Sequence, residues 1–467
     1  MKLYNTLTRT IDTVQPLSEE RTTVYTCGPT VYDYPHVGNW FTFIRYDLLV
    51  RVLRATQLKP VWVMNITDVG HLTSDADEGE DKLEKGARRE GKTAWDVAKY
   101  YGDYFTNGLE RLNILQPNYL PRATEHIEEQ IALIQRLEAN GYAYATSDGV
   151  YYDTSKFEGY AAFARLDLDD LQAGARVEYN PEKRNISDFA LWKFSPADQQ
   201  RDMEWESPWG TGFPGWHLEC SAMSMKYLGE SIDIHSGGID HIPVHHTNEI
   251  AQSEAATGKR FANYWMHANH VSVEGEKISK SLGNGITLED IEAKGFSLEA
   301  FRLHVLESHY RSQSKFTWDA LESAQNRLRG LQAFAVLRYQ AKDTVTSAAS
   351  FSLSAARDML LDALTNDLDT PRMLAALSGI VTHYTTALLH ADFRDEFMAF
   401  LETLDELLGL QLGQLPDISD EQKQIVAQRD QARQDKDWAR SDELRDELLA
   451  QGIVVRDTPH GTIWSRS

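Results

Sequence analysis

The chain has 467 residues, 42% of them hydrophobic and 25% charged, which is too long for one core and ordinary for a soluble protein of about two to four domains. No apolar run reaches membrane length and the N-terminus, Met-Lys-Leu-Tyr-Asn-Thr, has no apolar signal core, so no membrane partner is expected and a cytoplasmic location is. A formal net charge of −23 argues against indiscriminate nucleic-acid binding, although local basic patches remain compatible with it.

Arg21 to Thr26 is β-branched and aromatic and predicts a strand. Gly28-Pro29 breaks it. Gly38-Asn39 then opens an amphipathic run, Trp40 to Thr56, with Phe41, Ile44, Leu48, Leu49 and Val52 at helical spacing. Pro60 to Ile66 predicts a second buried strand. Strand, helix, strand is a βαβ unit of a parallel sheet, and its first loop lies at the carboxyl edge where ligands bind. That loop carries Cys27, Gly28 and His36. The start of the following helix offers free N–H groups to an anion.

Leu72 to Lys92 is charged and predicts a surface loop. Thr93 to Leu112 and Arg122 to Asn140 predict helices. Gly141 to Thr146, the turn Ser147-Asp148-Gly149 and Val150 to Thr154 predict a hairpin. Leu166 to Arg184 is polar and acidic. The region 116–206 therefore interrupts the sheet as an insertion. Ser207 to Trp216 is rich in Gly, Pro and Trp and predicts an irregular loop. Helix His217–Leu228, strand Ser231–His235, the glycines Gly237 and Gly238, helix Val244–Ala256 and strand Tyr264–Val273 predict that the sheet resumes. From Leu298 to about Leu410 the pattern is helical. The tail predicts one helix, about Ser419 to Gln451, then paired strands at Ile453 and Gly461.

Two cysteines are present, Cys27 and Cys220, and a cytoplasmic location argues against a disulfide. His245 and Glu249 are four apart and share a helix face. With both cysteines they would offer two thiolates, an imidazole and a carboxylate, a set suited to zinc rather than to magnesium or calcium. His235, His241 and His246 compete as ligands, and His241–His245 is also an i, i+4 pair. A polar helix face without metal is the alternative. The string HHTNE is not HExxH, so a zinc protease fits poorly. Downstream, Lys277 and Lys280 lie three apart in a Gly/Ser-flanked loop, Glu276 to Asn284, and two such lysines suit phosphate oxygens.

These residues match a known pattern. His-Val-Gly-Asn (His36 to Asn39) resembles the HIGH signature, and Lys277-Ile-Ser-Lys-Ser281 the KMSKS signature, of class I aminoacyl-tRNA synthetases. TCGPTVYDYPHVGN, PWGTGFPGWHLECSAMS, DIHSGGIDHIPVHHTNEIAQS and KISKSLGN together resemble the cysteinyl-tRNA synthetase family. The tail strings KDWARSDELRDEL and DTPHGTIW resemble its C-terminal module, so the likeness spans essentially the whole chain. It implies an α/β fold: a class I synthetase-type Rossmann catalytic domain with an insertion, then a helical bundle and a small C-terminal α+β module. The implied parts are 1–115 and 207–297 for the two Rossmann halves, 116–206 for the connective insertion, 298–415 for a stem-contact and tRNA-binding helical region, and 416–467 for an anticodon-binding module.

The resemblance also implies chemistry. One Zn(2+) per chain would be held by Cys27, Cys220, His245 and Glu249, and the thiolate of L-cysteine would bind it. Gly28, Thr67 and Trp216 match amino-acid pocket positions. His36, Gly38, Asn39, Asp240, Lys277 and Lys280 match positions that handle Mg-ATP, with His36, Asn39, Lys277 and Lys280 in catalytic roles. The expected partner is tRNA-Cys, and the expected state is a monomer. Asn39 replaces the second signature histidine; it can donate to a phosphate oxygen but carries no cation. Phe213 stands where the family often has Arg, and Thr247 where it often has Glu. In the tail, the resemblance implies that Trp438, between Lys436 and Arg440, stacks on an unpaired anticodon base; on its own it would better suit helix packing. A mycothiol-pathway ligase that joins cysteine to an amino sugar is the competing enzyme, and it lacks the C-terminal module. A non-catalytic zinc and tRNA-binding paralogue is the competing non-enzyme; His36, Lys277 and Lys280 are all retained here.

Overall fold

The computed structural model describes residues 1–70, 81–165, 180–196, 201–278, 285–342, 352–387, 389–458 and 461–466. The chain divides into two units: Met1–Ser272 with Glu276–Leu288 and Tyr310–Ser314, and Val273–Gly275 with Glu289–His309 and Lys315–Ser467.

The first unit begins with the antiparallel pair β1 (Lys2–Asn5) and β2 (Thr10–Thr13). Next come β3 (Thr22–Thr26), α1 (Val37–Ala55) and β4 (Pro60–Met64), the predicted βαβ unit. After it lie α2 (Lys82–Glu90), α3 (Ala94–Arg111), α4 (Ile127–Ala139), β5 (Ala143–Ala145), β6 (Gly149–Tyr152), β7 (Phe189–Phe194) and β8 (Gly212–Pro214). The sheet is completed by α5 (Trp216–Leu228), β9 (Ile232–Gly238), α6 (Thr247–Thr257) and β10 (Ala262–Ala268). Strands β10, β9, β3 and β4 lie side by side in that order, all parallel. The two halves of the chain therefore meet at β3 and β9, with Tyr25 opposite His235 and Thr26 opposite Ser236. The connections leave these two strands in opposite directions, which opens a crevice at their carboxyl ends.

Strand β3 is buried along its whole length, as expected of a central strand in a covered parallel sheet. Helix α1 is held from outside the sheet. Asp47 is fully buried and accepts from Arg51 Nε at 2.7 Å and from the Leu115 backbone N–H at 2.8 Å. Arg51 donates on to the Asn113 carbonyl at 2.6 Å. Trp40 stacks on Phe105 of α3 at 5.6 Å.

Four sequence expectations are corrected. The segment expected as a loop to Lys92 contains α2, capped by the Asp81 side chain on the Leu83 and Glu84 N–H groups and closed by Gly91 at φ +65°; the dense charge hid its period, and residues 71–80 lie outside the described residues. The loop expected at Ser207–Trp216 holds β8, which pairs with β7 in the insertion's antiparallel sheet β5-β6-β7-β8. The strand expected over Tyr264–Val273 stops at Ala268 and restarts at Val271–Val273, where the Asn269 side chain takes the His270 N–H at 2.8 Å. Residues 166–179 of the acidic segment lie outside the described residues.

The second unit is built on α7 (Leu298–Leu306), α8 (Trp318–Ala335), α9 (Leu353–Thr365), α10 (Thr370–Ala387) and α11 (Arg394–Leu408), in line with the predicted helical stretch. Its last part holds α12 (Asp420–Gln434), α13 (Trp438–Ala450) and the antiparallel strands β11 (Ile453–Thr458) and β12 (Gly461–Arg466). The single tail helix expected here is two, the fourth correction: Lys436 turns the chain at φ +62° and the Asp437 side chain restarts a helix on the Arg440 N–H.

Removing Asp47 would leave the Arg51 guanidinium buried without its carboxylate. Asp47→Ala is expected to lower stability by about 3–5 kcal/mol, read as a reduced urea midpoint of the first unit's transition; an unchanged midpoint would show that α1 is held by packing alone.

Candidate active site and metal centre

Each element of the crevice delivers residues for a local reason. Strand β3 ends at Thr26, and Cys27 donates its backbone N–H to the Ser236 carbonyl of β9 at 3.0 Å. Gly28 follows because nothing larger fits: a Cβ there would lie 1.6 Å from the Asn65 carbonyl oxygen. Its N–H donates to Asn65 Oδ1 at 2.8 Å, Asn65 Nδ2 donates to Thr67 Oγ1 at 3.0 Å, and Thr67 donates to the buried Glu219 carboxylate at 2.9 Å. His36 is the N-cap of α1, and its backbone N–H donates to Asn39 Oδ1 at 3.0 Å. The first turn carries no acidic residue, so the helix N-terminus keeps its attraction for an anion.

Cys27, Cys220 of α5, His245 and Glu249 of α6 are all buried, and one donor atom from each lies within 4.8 Å of the others. His245 and His246 occupy a π-helical turn, Ile242–His246, that leads into α6; such turns recur at functional sites. His245 Nε2 is 3.1 Å from Glu249 Oε1, yet that oxygen completes no hydrogen bond among the described residues. A second set of equal compactness replaces Cys220 and His245 with His235 and His246. His241 belongs to neither. Cys27, Cys220 and His245 face an open cavity, whereas His235 and His246 are wholly buried behind it. The first set is thus the one that can hold an ion and leave a coordination position for an incoming ligand. Its two sulfurs favour a borderline-soft ion such as zinc over magnesium or calcium.

A shell of histidines supports the donors. His235 Nε2 contacts Glu249 Oε2 at 2.9 Å, His217 Nδ1 meets His245 Nδ1 at 2.9 Å, and His246 Nε2 lies 3.3 Å from Cys27 Sγ. His246 continues to His267 at 2.7 Å, and His267 to Thr6 at 2.7 Å. Burial works to raise the Glu249 carboxyl, but His235 and His245 more than offset it and hold it at about 2. Burial likewise works to lower His245, but Glu249 and Cys220 raise it to about 10. Cys220 is drawn down chiefly by its hydrogen bond with Cys27, while burial and Cys220 push Cys27 well up. An ion held here needs both sulfurs as thiolates and a neutral imidazole donor, so its uptake would release protons.

The cavity is about 510 Å³ and also exposes Gly28, His36, Asn39, Thr67, Trp216 and Asp240. The Trp216 ring lies 4.5 Å from that of His245. Gly38 and Glu249 do not line it; a Cβ on Gly38 would approach Ile278 Cδ1 to 2.8 Å. Lys277 ends a two-residue strand, Glu276–Lys277; its side chain and all of Lys280 lie outside the described residues. The sequence reading missed Tyr46, Asn65, His217, Glu219 and His267. Asn39, Thr42, Phe43 and Tyr46 line the cavity from α1 at i, i+3, i+4 and i+7, a signal hidden by the stronger apolar stripe beside it.

A family model described as tRNA synthetases class I (C) catalytic domain matches residues 13–326, and one described as Cysteinyl-tRNA ligase anticodon binding domain matches residues 415–464. The chain is 47% identical to a cysteine–tRNA ligase 1 of Burkholderia lata over 468 residues, covering 99% of this chain and 96% of that protein. It is 42% identical to a cysteine–tRNA ligase of Treponema denticola over 500 residues, covering 100% and 99%. Methionyl-tRNA synthetase of Mycobacterium tuberculosis, solved in complex with methionyl-adenylate, superposes with a TM-score of 0.60 at 17% identity, covering 84% of this chain and 92% of that one. That likeness speaks to the fold.

Cys220→Ser removes one of the two thiolates. Bound divalent metal, measured by elemental analysis of the purified protein, is expected to fall well below one ion per chain; undiminished metal would remove Cys220 from the ligand set.

Proposed function

Because the chain belongs to the cysteine–tRNA ligase family of class I tRNA synthetases, we propose that it activates L-cysteine with Mg-ATP and transfers it to the 3′ end of tRNA-Cys, selecting the thiol with one zinc ion held by Cys27, Cys220, His245 and Glu249. The observation that carries this reading is a single cavity that exposes both the thiol-rich donor set and the N-terminus of α1. One end suits a sulfur ligand and the other a polyphosphate.

Cysteine and serine differ by one atom, for which a shape-selective pocket gains only about 1–3 kcal/mol, roughly one to two powers of ten. When bound, zinc supplies what shape cannot, because it takes a deprotonated thiol as a soft ligand and an alcohol at neutral pH is a poor one. Thr67, fixed by Asn65 and backed by the buried Glu219 carboxylate, gives the substrate ammonium an electronegative wall. Trp216 closes the pocket over His245.

In the first step the cysteine carboxylate oxygen bonds to the α-phosphorus of ATP and pyrophosphate leaves. His36, Asn39 and the α1 N–H groups meet the triphosphate from one side. Asn39 has its side-chain oxygen engaged by the His36 N–H, so its amide N–H₂ end is the one turned to phosphate. Lys277 and Lys280 are assigned to the triphosphate as point charges. Asp240, exposed at the cavity mouth, meets the adenosine. In the second step a ribose hydroxyl of the tRNA 3′ end bonds to the cysteinyl carbon and AMP leaves. The protein positions the reactants and stabilises charge rather than forming covalent bonds.

The match at 415–464 supports a tRNA acceptor over an amino sugar. Trp438 at the start of α13 is 56% exposed, which suits stacking on a base better than helix packing, and Arg433 lies 5.6 Å from its ring. No described helix is long and apolar enough to cross a membrane. A cytoplasmic monomer completes the reading.

The direct test is cysteine-dependent ATP–pyrophosphate exchange with serine as competitor; exchange that serine supports equally would exclude selection of the thiol. Lys280→Ala is expected to slow exchange about 10²–10³-fold, the loss of one transition-state donor, with the KM for cysteine unchanged. Unaltered exchange would reassign the lysine loop. Trp438→Ala is expected to raise the KM for tRNA about tenfold, the worth of one stacked base, and to spare exchange. Equal loss in both assays would point to folding instead.

A further inference from the structure

The loop from β3 to α1 runs along the cavity wall, and Tyr34 stands there with 41% of its surface exposed. Tyr100 of α3 stands beside it, 45% exposed, and the two hydroxyls meet at 2.8 Å. Tyr34 also packs at steep angles on Tyr101 and Tyr104 of α3, with ring centres 5.0 and 4.8 Å away. Tyr101 donates in turn to the Glu90 carboxylate of α2 at 2.7 Å, and Arg89 of α2 lies 3.7 Å from Asp33. Single exposed aromatic residues need no explanation. Here two adjoin, both braced by neighbouring rings, and one of them lines the cavity that the proposed reaction uses.

Exposed rings of this kind take flat, unpaired bases, and stacking asks for no particular base. The nearby cations are already engaged. Lys92 holds Glu90 at 3.1 Å while lying 4.9 Å from the centre of the Tyr100 ring, and Arg89 holds Glu90 at 3.0 Å. The face therefore offers rings more than charge. Two base-bearing molecules reach this cavity in the proposed reaction, ATP and the tRNA. The adenosine is assigned to Asp240, beyond β9, whereas the two tyrosines belong to the loop after β3 and to α3. The tRNA 3′ end arrives from solvent and must cross the rim to bring its ribose hydroxyl to the cysteinyl carbon. From this continuity we infer that Tyr34 and Tyr100 form a stacking platform for an unpaired base at the 3′ end of the tRNA, steadying the strand as its terminal ribose enters the cavity. The inference rests on the ligase reading above.

The test compares the full-length enzyme with Tyr100→Ala and Tyr100→Phe, using tRNA-Cys transcripts that are intact or lack the unpaired 3′ nucleotides. Tyr100→Ala is expected to weaken binding of the intact transcript about tenfold, the worth of one stacked base. Its affinity for the shortened transcript should equal that of wild type, and so should its KM for ATP in cysteine-dependent pyrophosphate exchange. Tyr100→Phe keeps the ring and should bind both transcripts as wild type does. Equal weakening toward both transcripts would overturn the inference, since the rings would then serve another contact or the fold. A phenylalanine variant as weak as the alanine one would overturn it too, because the hydroxyl pair rather than stacking would matter. A raised KM for ATP would give the platform to the adenine of ATP instead, and full affinity of Tyr100→Ala for the intact transcript would leave it no role. Wild type that charges no tRNA would sink the ligase reading itself, and this site with it.

Discussion

A buried carboxylate dictates much of the first unit. Glu249 is fully enclosed, and a charge so placed is tolerated only when opposed and hydrogen-bonded. His235 and His245 oppose it from two sides. They come from different elements, β9 and the π turn; His245 Nδ1 meets His217 Nδ1 at 2.9 Å, and the His235 ring stacks on Trp265 at 4.5 Å. The His246–His267–Thr6 chain carries that demand across β10 to the N-terminal hairpin. The donor set is therefore not a feature added to a finished scaffold. It is complete only when both halves of the sheet have met at β3 and β9, because Cys27 comes from the first half and Cys220, His245 and Glu249 from the second.

The same meeting point explains why the thiol-rich donor set and the N-terminus of α1 share a cavity. β3 delivers Cys27 at its last turn and the N-terminus of α1 a few residues later, while β9 delivers Gly237, Gly238 and Asp240 beside them. The approach is close enough that a Cβ at Gly28 would strike Asn65, and one at Gly237 would strike the His246 ring at 2.4 Å. Rigidity matters here, since catalysis by positioning tolerates little misplacement. The Asp47–Arg51 pair and the Trp40–Phe105 stack fix α1 so that its N-terminus stays aimed into the cavity.

Much of this was legible in the residues. Strand period and Gly-Pro punctuation located β3, α1 and β4, and the i, i+4 spacing joined His245 to Glu249 before any coordinates. Two distant cysteines could be joined to them only as a hypothesis, because nothing local records that β3 and α5 converge. The competitors His235 and His246 were rightly kept: they form a second donor set of the same size, and only exposure to the cavity separates the two. What escaped notice escaped for physical reasons. α2 is so charged that its period is invisible, although Asp81 and Gly91 bracket it. β8 is three residues whose pairing with β7 outweighs its Gly and Pro content. The tail helix was divided by one positive φ at Lys436, which no apolar pattern reveals. Of the histidine shell, His217 on α5 and His267 on β10 escaped because they touch other histidines rather than the donor cavity and have no spacing of their own.

The acidic balance of the chain bears on how its C-terminal part would meet a polyanion. A net charge of −23 leaves little general attraction for RNA, and most of the tail's arginines are already engaged by carboxylates. Arg429, Arg433, Arg440 and Arg445 each have a carboxylate within 3.1 Å. Arg429 is buried and holds Asp457 through two bonds of 2.8 and 3.0 Å, so it joins α12 to β11 rather than waiting for phosphate. Affinity built on phosphate contacts would be steeply salt-dependent and blind to sequence. With four of its six arginines already held by carboxylates, this module would depend more on the other route, in which an exposed ring such as Trp438 takes an unpaired base. Low background attraction then serves discrimination: among many tRNAs of equal charge, binding would depend on the few contacts that differ.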